Sequence, residues 1–248
     1  MDWVLKYLVI SDIHANLEAL DAVLDAAGAY DHALVLGDLV GYGADPNAVI
    51  ARVRSLGPAT FIRGNHDKVG AGLENTDGFN YLARHAISWT ADTLTADHRQ
   101  WLAALAQGPV VVDDLVEICH GTPFDEDVYI FDDLDAMRAI HESRRPLCLF
   151  GHTHVVAAFQ VSGEMRSIGH LHVEHIDLPA DGSSRLLVNC GAVGQPRDGD
   201  PRAAYGLLDT TSRSLALKRI EYDVQSAQAK ILAAGLPDVL AQRLAVGR

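Results

Sequence analysis

Val4-Leu5-Lys6-Tyr7-Leu8-Val9-Ile10-Ser11-Asp12-Ile13-His14 is the stretch that decides the fold. Val4 to Ile10 is a short apolar run rich in branched side chains, which reads as a buried strand. It has no basic leader or small-residue cleavage site and leads straight into Ser11-Asp12, so it reads as a first strand, not a signal peptide. Working outward, Asn16 to Ala27 places Leu17, Leu20, Val23 and Leu24 at helical spacing. Ala33 to Leu36 reads as a second strand. Asp45-Pro46 supplies an N-cap followed by a proline at the first helical position, opening a helix that runs to about Leu56. Ala59 to Ile62 reads as a third strand. This βαβαβ order implies a parallel sheet with right-handed crossovers.

The rest of the chain has a different texture. Helices are expected near Phe79–Leu94 and Ala96–Ala106, with Thr95 capping the second, and over Asp132–His141. Val110–Val112 and Leu115–Cys119 form a hairpin pattern around Asp113-Asp114. Leu147–Phe150, Val155–Val161, Arg166–Asp177, Arg185–Val188, Tyr205–Asp209 and Ser214–Glu221 read as strands. The tail, Val224 to Val246, reads as one or two helices broken near Gly235-Leu236-Pro237. A parallel half followed by a hairpin-rich half predicts two packed sheets with helices outside. With no repeat and no long linker, residues 1–248 are expected to form one domain.

Composition narrows the function. With 48% apolar residues the chain has ample material for a core, yet no stretch approaches the roughly 20 apolar residues of a membrane span. The net charge of −13 and the lack of a Lys/Arg run argue against long nucleic acids. Three widely spaced cysteines without a CxxC pair argue against a disulfide framework and predict a reducing, cytoplasmic setting.

The chemistry gathers just past the strands, where open α/β sheets bind ligands. These positions carry Ser11-Asp12-Ile13-His14, Gly37-Asp38, Arg63-Gly64-Asn65-His66-Asp67, His120-Gly121 and Gly151-His152-Thr153-His154. Singly, each has a plain structural interpretation: a polar turn, a helix cap or a buried, hydrogen-bonded histidine. Five successive strand ends that all offer metal-ligand residue types are a stronger signal.

In this order the clusters closely resemble the calcineurin-like metallophosphoesterases, whose pattern is DxH, GD, GNH, a later His and GHxH. The resemblance spans residues 8 to 154 and implies a four-layer αββα sandwich of two mixed β-sheets flanked by helices. It implies two divalent ions, one held by Asp12, His14, Asp38 and His154, the other by Asp38, Asn65, His120 and His152, with Asp38 bridging. It further implies a phosphoester hydrolase in which a hydroxide shared by the ions attacks phosphorus in line. Imidazole and carboxylate ligands suit Mn, Fe, Zn, Ni or Co better than Ca. His66 lies outside the ligand set and would stabilise charge or protonate the leaving oxygen; Asp67 would orient it or cap a helix.

The protein-phosphatase branch has an Asp and an Arg where Gly41 and Tyr42 stand here, so phosphate contacts are expected instead from Arg63, Tyr42 and Arg197. Asn189-Cys190-Gly191-Ala192-Val193-Gly194-Gln195-Pro196-Arg197-Asp198 resembles the late NPGS-type loop of small prokaryotic phosphodiesterases, with Cys190 and Ala192 replacing Pro and Ser. The expected substrate is therefore a small phosphodiester, including nucleotides, with inorganic phosphate as a product or ligand. Alternatives are a phosphomonoesterase, a dinucleoside polyphosphate hydrolase, a metal-binding interaction scaffold or a zinc amide hydrolase. His170, His172 and His175 are expected on a solvated or substrate-rim hairpin, the acidic segment Asp125–Asp135 in a solvated loop, and the C-terminal apolar spacing in docking onto the core or a dimer face.

Overall fold

The computed structural model describes residues 5–162, 168–170, 174–179 and 184–248. The first part runs β1 (Lys6–Ile10), α1 (Leu17–Ala27), β2 (His32–Val35), α2 (Pro46–Arg54), β3 (Ala59–Phe61), α3 (Asn65–Gly70), α4 (Tyr81–Thr93), α5 (Ala96–Ala103), β4 (Val110–Val111) and β5 (Val116–Ile118). It continues with α6 (Asp133–Glu142), β6 (Leu147–Phe150), β7 (Ala157–Ser162), β8 (Ile168–His170), β9 (His175–Asp177), β10 (Ser184–Asn189), β11 (Ala203–Asp209), β12 (Ser214–Ile220), α7 (Val224–Ala233) and α8 (Asp238–Leu244). These strands form two six-stranded sheets, ordered β3-β2-β1-β11-β12-β9 and β4-β5-β6-β10-β7-β8. Both are mixed. β1, β2 and β3 are parallel, as are β5, β6 and β10, while β11, β12 and β7 pair antiparallel.

Alternation along each strand sorts side chains between layers. In β1, Leu8 and Ile10 face the layer packed by α1 and α2, with Leu20, Val23, Val49 and Ile50. Tyr7 and Val9 point the other way, into the space between the sheets, where Ile118, Leu147, Leu149 and Val188 meet them. In β6, Cys148 and Phe150 face Ala136, Ala139 and Ile140 of α6. The buried stretches of the central strands carry apolar side chains on both faces because both faces are covered, and the result is the expected αββα sandwich.

Helix starts follow local chemistry. Asn16, Asn80, Thr95 and Asp132 each accept a backbone N–H at their helix N-termini. Asp45 precedes Pro46 as expected but makes no side-chain cap; its carboxylate instead takes the ammonium of Lys230 at 2.6 Å. The strand expected over Arg166–Asp177 is two pieces in different sheets: β8 joins β7, and β9 joins β12. His170 and His175 therefore belong to different sheets, and His172 lies outside the described residues. No described helix is long and apolar enough to cross a membrane.

The tail docks rather than projects. Ile231, Leu236, Leu240 and Leu244 pack with Ala83 and Ala86 of α4 and against Tyr42. Lys230 also pairs with Glu18 of α1 at 2.5 Å. Leu240 is fully buried in this cluster. Leu240→Ala should therefore cost about 2–4 kcal/mol in chemical denaturation; a loss below about 0.5 kcal/mol would mean that α8 is not integral to the core.

Candidate metal centre

Both parallel cores end at one rim. The turn after β1 carries Asp12 and His14, and the turn after β2 carries Asp38. α3, which follows β3, carries Asn65 and His66. The turn after β5 carries His120, and the turn after β6 carries His152 and His154. Two groups of ligand atoms result, each within 4.8 Å of one another: Asp12, His14, Asp38 and His154, and Asp38, His120 and His152. Asp38 belongs to both. Its Oδ2 lies 3.5 Å from His14 Nε2 and 3.4 Å from His120 Nε2. Asn65 Oδ1 joins the second group, 3.2 Å from His120 Nε2.

The backbone is bent to achieve this. Among described non-glycine residues with left-handed φ, all but Arg213 lie in these turns: Asp12, His14, Ala15, Asp38, Tyr42, His152 and His154. Each costs on the order of 1–3 kcal/mol, so neighbouring structure must hold it. Ladders of main-chain bonds do so: His14 N–H donates to the Asp38 carbonyl, Gly194 N–H to that of Asp12, and Gly151 N–H to that of His120. Asn189, at the end of β10, donates to the Gly151 carbonyl and to Thr153 Oγ1. The glycine of GNH has a steric reason: a Cβ on Gly64 would lie 2.1 Å from Asp38 Oδ1.

Backbone carbonyls fix the imidazoles. A carbonyl can only accept, so it sets which ring nitrogen carries the proton. Val40 accepts from His14 Nδ1 at 3.0 Å, Leu36 from His120 Nδ1 at 2.8 Å and Gln195 from His154 Nδ1 at 2.7 Å. In His152 it is Nε2 that donates, to the Asp127 carbonyl at 3.1 Å, which leaves the lone pair on Nδ1 as the one that would face a metal. His14 Nε2 and His154 Nε2 stand 3.0 Å apart. Burial holds both rings well below the ordinary histidine range, so both are neutral and their lone pairs face each other. A divalent cation would relieve that repulsion by taking both lone pairs, and this donor set fits a transition-metal ion.

The carboxylates fit the same interpretation. Burial alone would raise Asp38, but His120, His66 and His14 hold it well below the usual carboxylate range. Burial pushes Asp12 up to about 7 against the pull of His120, with Asp38's charge adding to the rise. Burial alone would lower His120, but Asp38 and Asp12 carry it up to about 10.

His66 sits beside the donor groups. Its main-chain N–H donates to Asp38 Oδ1 at 2.9 Å, and its ring packs on His14, Tyr42 and Phe79 at centroid distances of 4.9, 4.6 and 4.7 Å. Its buried Nδ1 has no hydrogen-bond partner among the described residues. Burial brings the ring down to about 4, so it is neutral in this state. Asp67 does not orient it. The Asp67 carboxylate accepts from the N–H groups of Leu39, Val40 and Gly64, tying the GD turn to the start of α3. Gly41 makes room for the ring: a Cβ there would lie 2.4 Å from His66 Nδ1.

The three expected phosphate contacts divide. Arg63 is occupied, its guanidinium meeting Glu126 at 3.0 and 3.2 Å. Arg197 has no carboxylate partner among the described ion pairs; it contacts the Tyr42 hydroxyl at 3.3 Å and Gln195 Oε1 at 3.1 Å, and its buried Nε is unpartnered. Tyr42 lies between Arg197 and His66. Sequence patterns did not single out Tyr129, which stacks on His152 at 3.8 Å, or Phe79. Neither has a ligand-type side chain or a telling spacing. The acidic segment is only partly solvated: Glu126 is buried against Lys68 and Arg63.

Divalent ions should stabilise the chelator-stripped protein, the gain growing with the logarithm of their concentration once the site is mostly filled. Manganese should raise Tm by several degrees in the wild type and by less than about a third as much in Asp38→Ala. An equal shift in the two proteins would place the binding elsewhere.

Comparison with known proteins agrees with this geometry. Residues 5–213 match the calcineurin-like phosphoesterase superfamily domain. The protein MJ0912 of Methanocaldococcus jannaschii is 34% identical over 250 residues, covering 97% of each chain. A metallophosphoesterase crystal structure from Sphaerobacter thermophilus is 37% identical, with a TM-score of 0.84 over 99% of this chain and 100% of that one. The Pyrococcus horikoshii protein PH1004 shares the fold at 18% identity, with a TM-score of 0.78 and 98% of each chain covered. With its ligand-type residues gathered at one rim, the chain belongs to the calcineurin-like phosphoesterase superfamily and is a metallophosphoesterase.

Proposed function

We propose that the protein is a binuclear metal-dependent phosphodiesterase. The observation that carries this reading is Asp38, whose carboxylate stands between two sets of imidazoles already turned inward by backbone carbonyls. Asp12, His14, Asp38 and His154 would hold one ion, and Asp38, Asn65, His120 and His152 the other, drawn from Mn, Fe, Zn, Ni or Co. When bound, the ions supply a water acidic enough to ionise near neutrality and neutralise phosphate charge during in-line displacement.

The protein's own residues do the rest. Arg197, unpaired and backed by Tyr42, binds the non-bridging phosphate oxygens. His66, fixed by its N–H bond to Asp38 and by Gly41 beneath its ring, donates a hydrogen bond or a proton to the leaving oxygen. Arg63 is assigned no substrate contact, because Glu126 already uses it.

Two clefts flank Tyr129 and support a diester over a monoester. One, about 190 Å³, is lined by Asn65, His66, Phe79 and Asn80. The other, about 550 Å³ among the described residues, is lined by Arg197, Thr153, Phe150 and Phe159. A phosphodiester has a substituent for each; a monoester has only one. The buried, free thiols of Cys119, Cys148 and Cys190 support a cytoplasmic setting.

Chelator-stripped protein reloaded with Mn, Ni, Co, Zn or Mg should hydrolyse bis-p-nitrophenyl phosphate faster than p-nitrophenyl phosphate. His66→Ala should lower that rate about 10²–10⁴-fold. A preference for the monoester would instead assign a phosphomonoesterase, and wild-type turnover in His66→Ala would remove that residue from the mechanism. Gly41→Ala should lose about 10²-fold in kcat by displacing the His66 ring, with manganese-induced stabilisation retained; loss of both would mean that Gly41 supports the metal centre itself.

A further inference from the structure

The cleft beside His66 has an electrostatic character that the diesterase reading does not use. Its floor is His66 and Asn65, its aromatic walls are Phe79, Tyr129 and Tyr42, and its outer rim carries Lys68, Glu74 and Asp127. Lys68 is not a free cation. Its ammonium meets Asp127 at 2.5 Å, Glu74 at 2.7 Å and Glu126 at 3.3 Å, and it is largely buried. Arg63, the neighbouring cation, is taken by Glu126. Two cations thus face three carboxylates. Glu74 and Asp127 remain about half exposed at the mouth, with side-chain exposures of 52% and 47%. Along this wall a second phosphate would meet uncompensated negative charge and no unpaired Lys or Arg.

A neutral, planar group meets the opposite conditions. Aromatic side chains offer stacking faces. Asn75 and Asn80 use their side-chain oxygens internally, accepting from the N–H groups of Asp77 and Ala83, which leaves their amide NH₂ groups as donors in the cleft lining. The volume of about 190 Å³ is several times the ~30 Å³ share of one water. The unpaired guanidinium, Arg197, lines the cleft on the far side of Tyr129, so the cation available to the scissile phosphate is not in the leaving-group cleft.

We propose that this cleft receives the leaving alcohol, and that the alcohol is an uncharged nucleoside rather than a nucleotide or polyphosphate. This rests on the diesterase reading above and narrows it. Hydrolysis then breaks the phosphorus–oxygen bond to the nucleoside and forms one to the water oxygen. One water proton ends on the nucleoside hydroxyl, and the other is released to solvent from the new monoester. Glu74 acts as a specificity residue by repelling anionic leaving groups, and Lys68 holds the Asp127 side of the rim in place.

The test compares kcat/KM of the manganese-loaded enzyme for adenylyl-adenosine, whose leaving group is a nucleoside, with that for diadenosine tetraphosphate, whose leaving groups are nucleotides. The wild type should prefer the first at least about tenfold. Glu74→Lys should shrink that preference to below about threefold. Adenosine titrated calorimetrically into the chelator-stripped protein should bind, and Phe79→Ala should weaken it about tenfold. Equal or inverted preference in an active diesterase, a preference unmoved by Glu74→Lys, or no adenosine binding up to millimolar concentration overturns the cleft assignment and leaves the diesterase reading standing. If no metal restores cleavage of bis-p-nitrophenyl phosphate, the diesterase reading falls and the cleft assignment falls with it.

Discussion

The structure depends on a buried carboxylate held where two sheets meet. Asp38 lies in the left-handed region at the end of β2, inaccessible to solvent, with imidazoles from the ends of both sheets within 3.5 Å. A buried anion needs opposite charge and donors around it. The protein supplies the His66 N–H directly and sets the His120 ring, whose proton affinity Asp38 raises, alongside. Every other feature of the rim serves to bring those groups to this point. Gly64 admits the main chain of the GNH turn against the carboxylate, Asp67 ties that turn to the one bearing Asp38, and Leu36, one residue before Gly37, accepts from the His120 ring.

Such a rim is locally unfavourable. Left-handed aspartates and histidines, neutral imidazoles facing each other and a pair of buried carboxylates all oppose folding. The strands beneath supply the compensation. Leu8, Ile10, Ala33 and Val35 bury one face of β1 and β2, while Tyr7, Val9 and Leu34 bury the other, so the strand ends are anchored from two sides before the chain turns into the site. Rigid strands ending in strained turns are what a preorganised site requires, because the ligand atoms then need little rearrangement when a cation binds.

The later part of the chain contributes bracing more than ligands. Asn189 secures the GHTH turn, Val193 and Gly194 bond to the Ser11 and Asp12 carbonyls, and Gln195 fixes the His154 tautomer through its carbonyl. The C-terminal helices back Tyr42, which in turn packs on His14 and His66. Glu126 and Asp127, from a segment whose composition suggested solvated loop, grip Lys68 and Arg63 and carry the carbonyl that orients His152. Support is thus spread over residues with no ligand-type signature, and exchanging one would alter the centre without removing any of its ligand atoms.

Strand ends, ligand-type residues and the layered architecture were all legible in the order of the residues. Apolar runs too short for helices and polar clusters that follow them at once are local features, and the order DxH, GD, GNH, His, GHTH leaves little freedom in how they assemble. The helix starts at Asn16, Thr95 and Asp132 were legible too, because a cap is chemistry between near neighbours. Tertiary structure alone decided which arginine is free. Arg63 and Arg197 look alike in sequence, and only the fold places Glu126 against one and leaves the other without a carboxylate among the described residues. It also decided that Asp45 serves Lys230 rather than its own helix, that Asp67 braces backbone instead of His66, and that Tyr129 lies flat on His152. Each depends on residues far apart in the chain meeting at contact distance, and no periodicity or spacing encodes such a meeting.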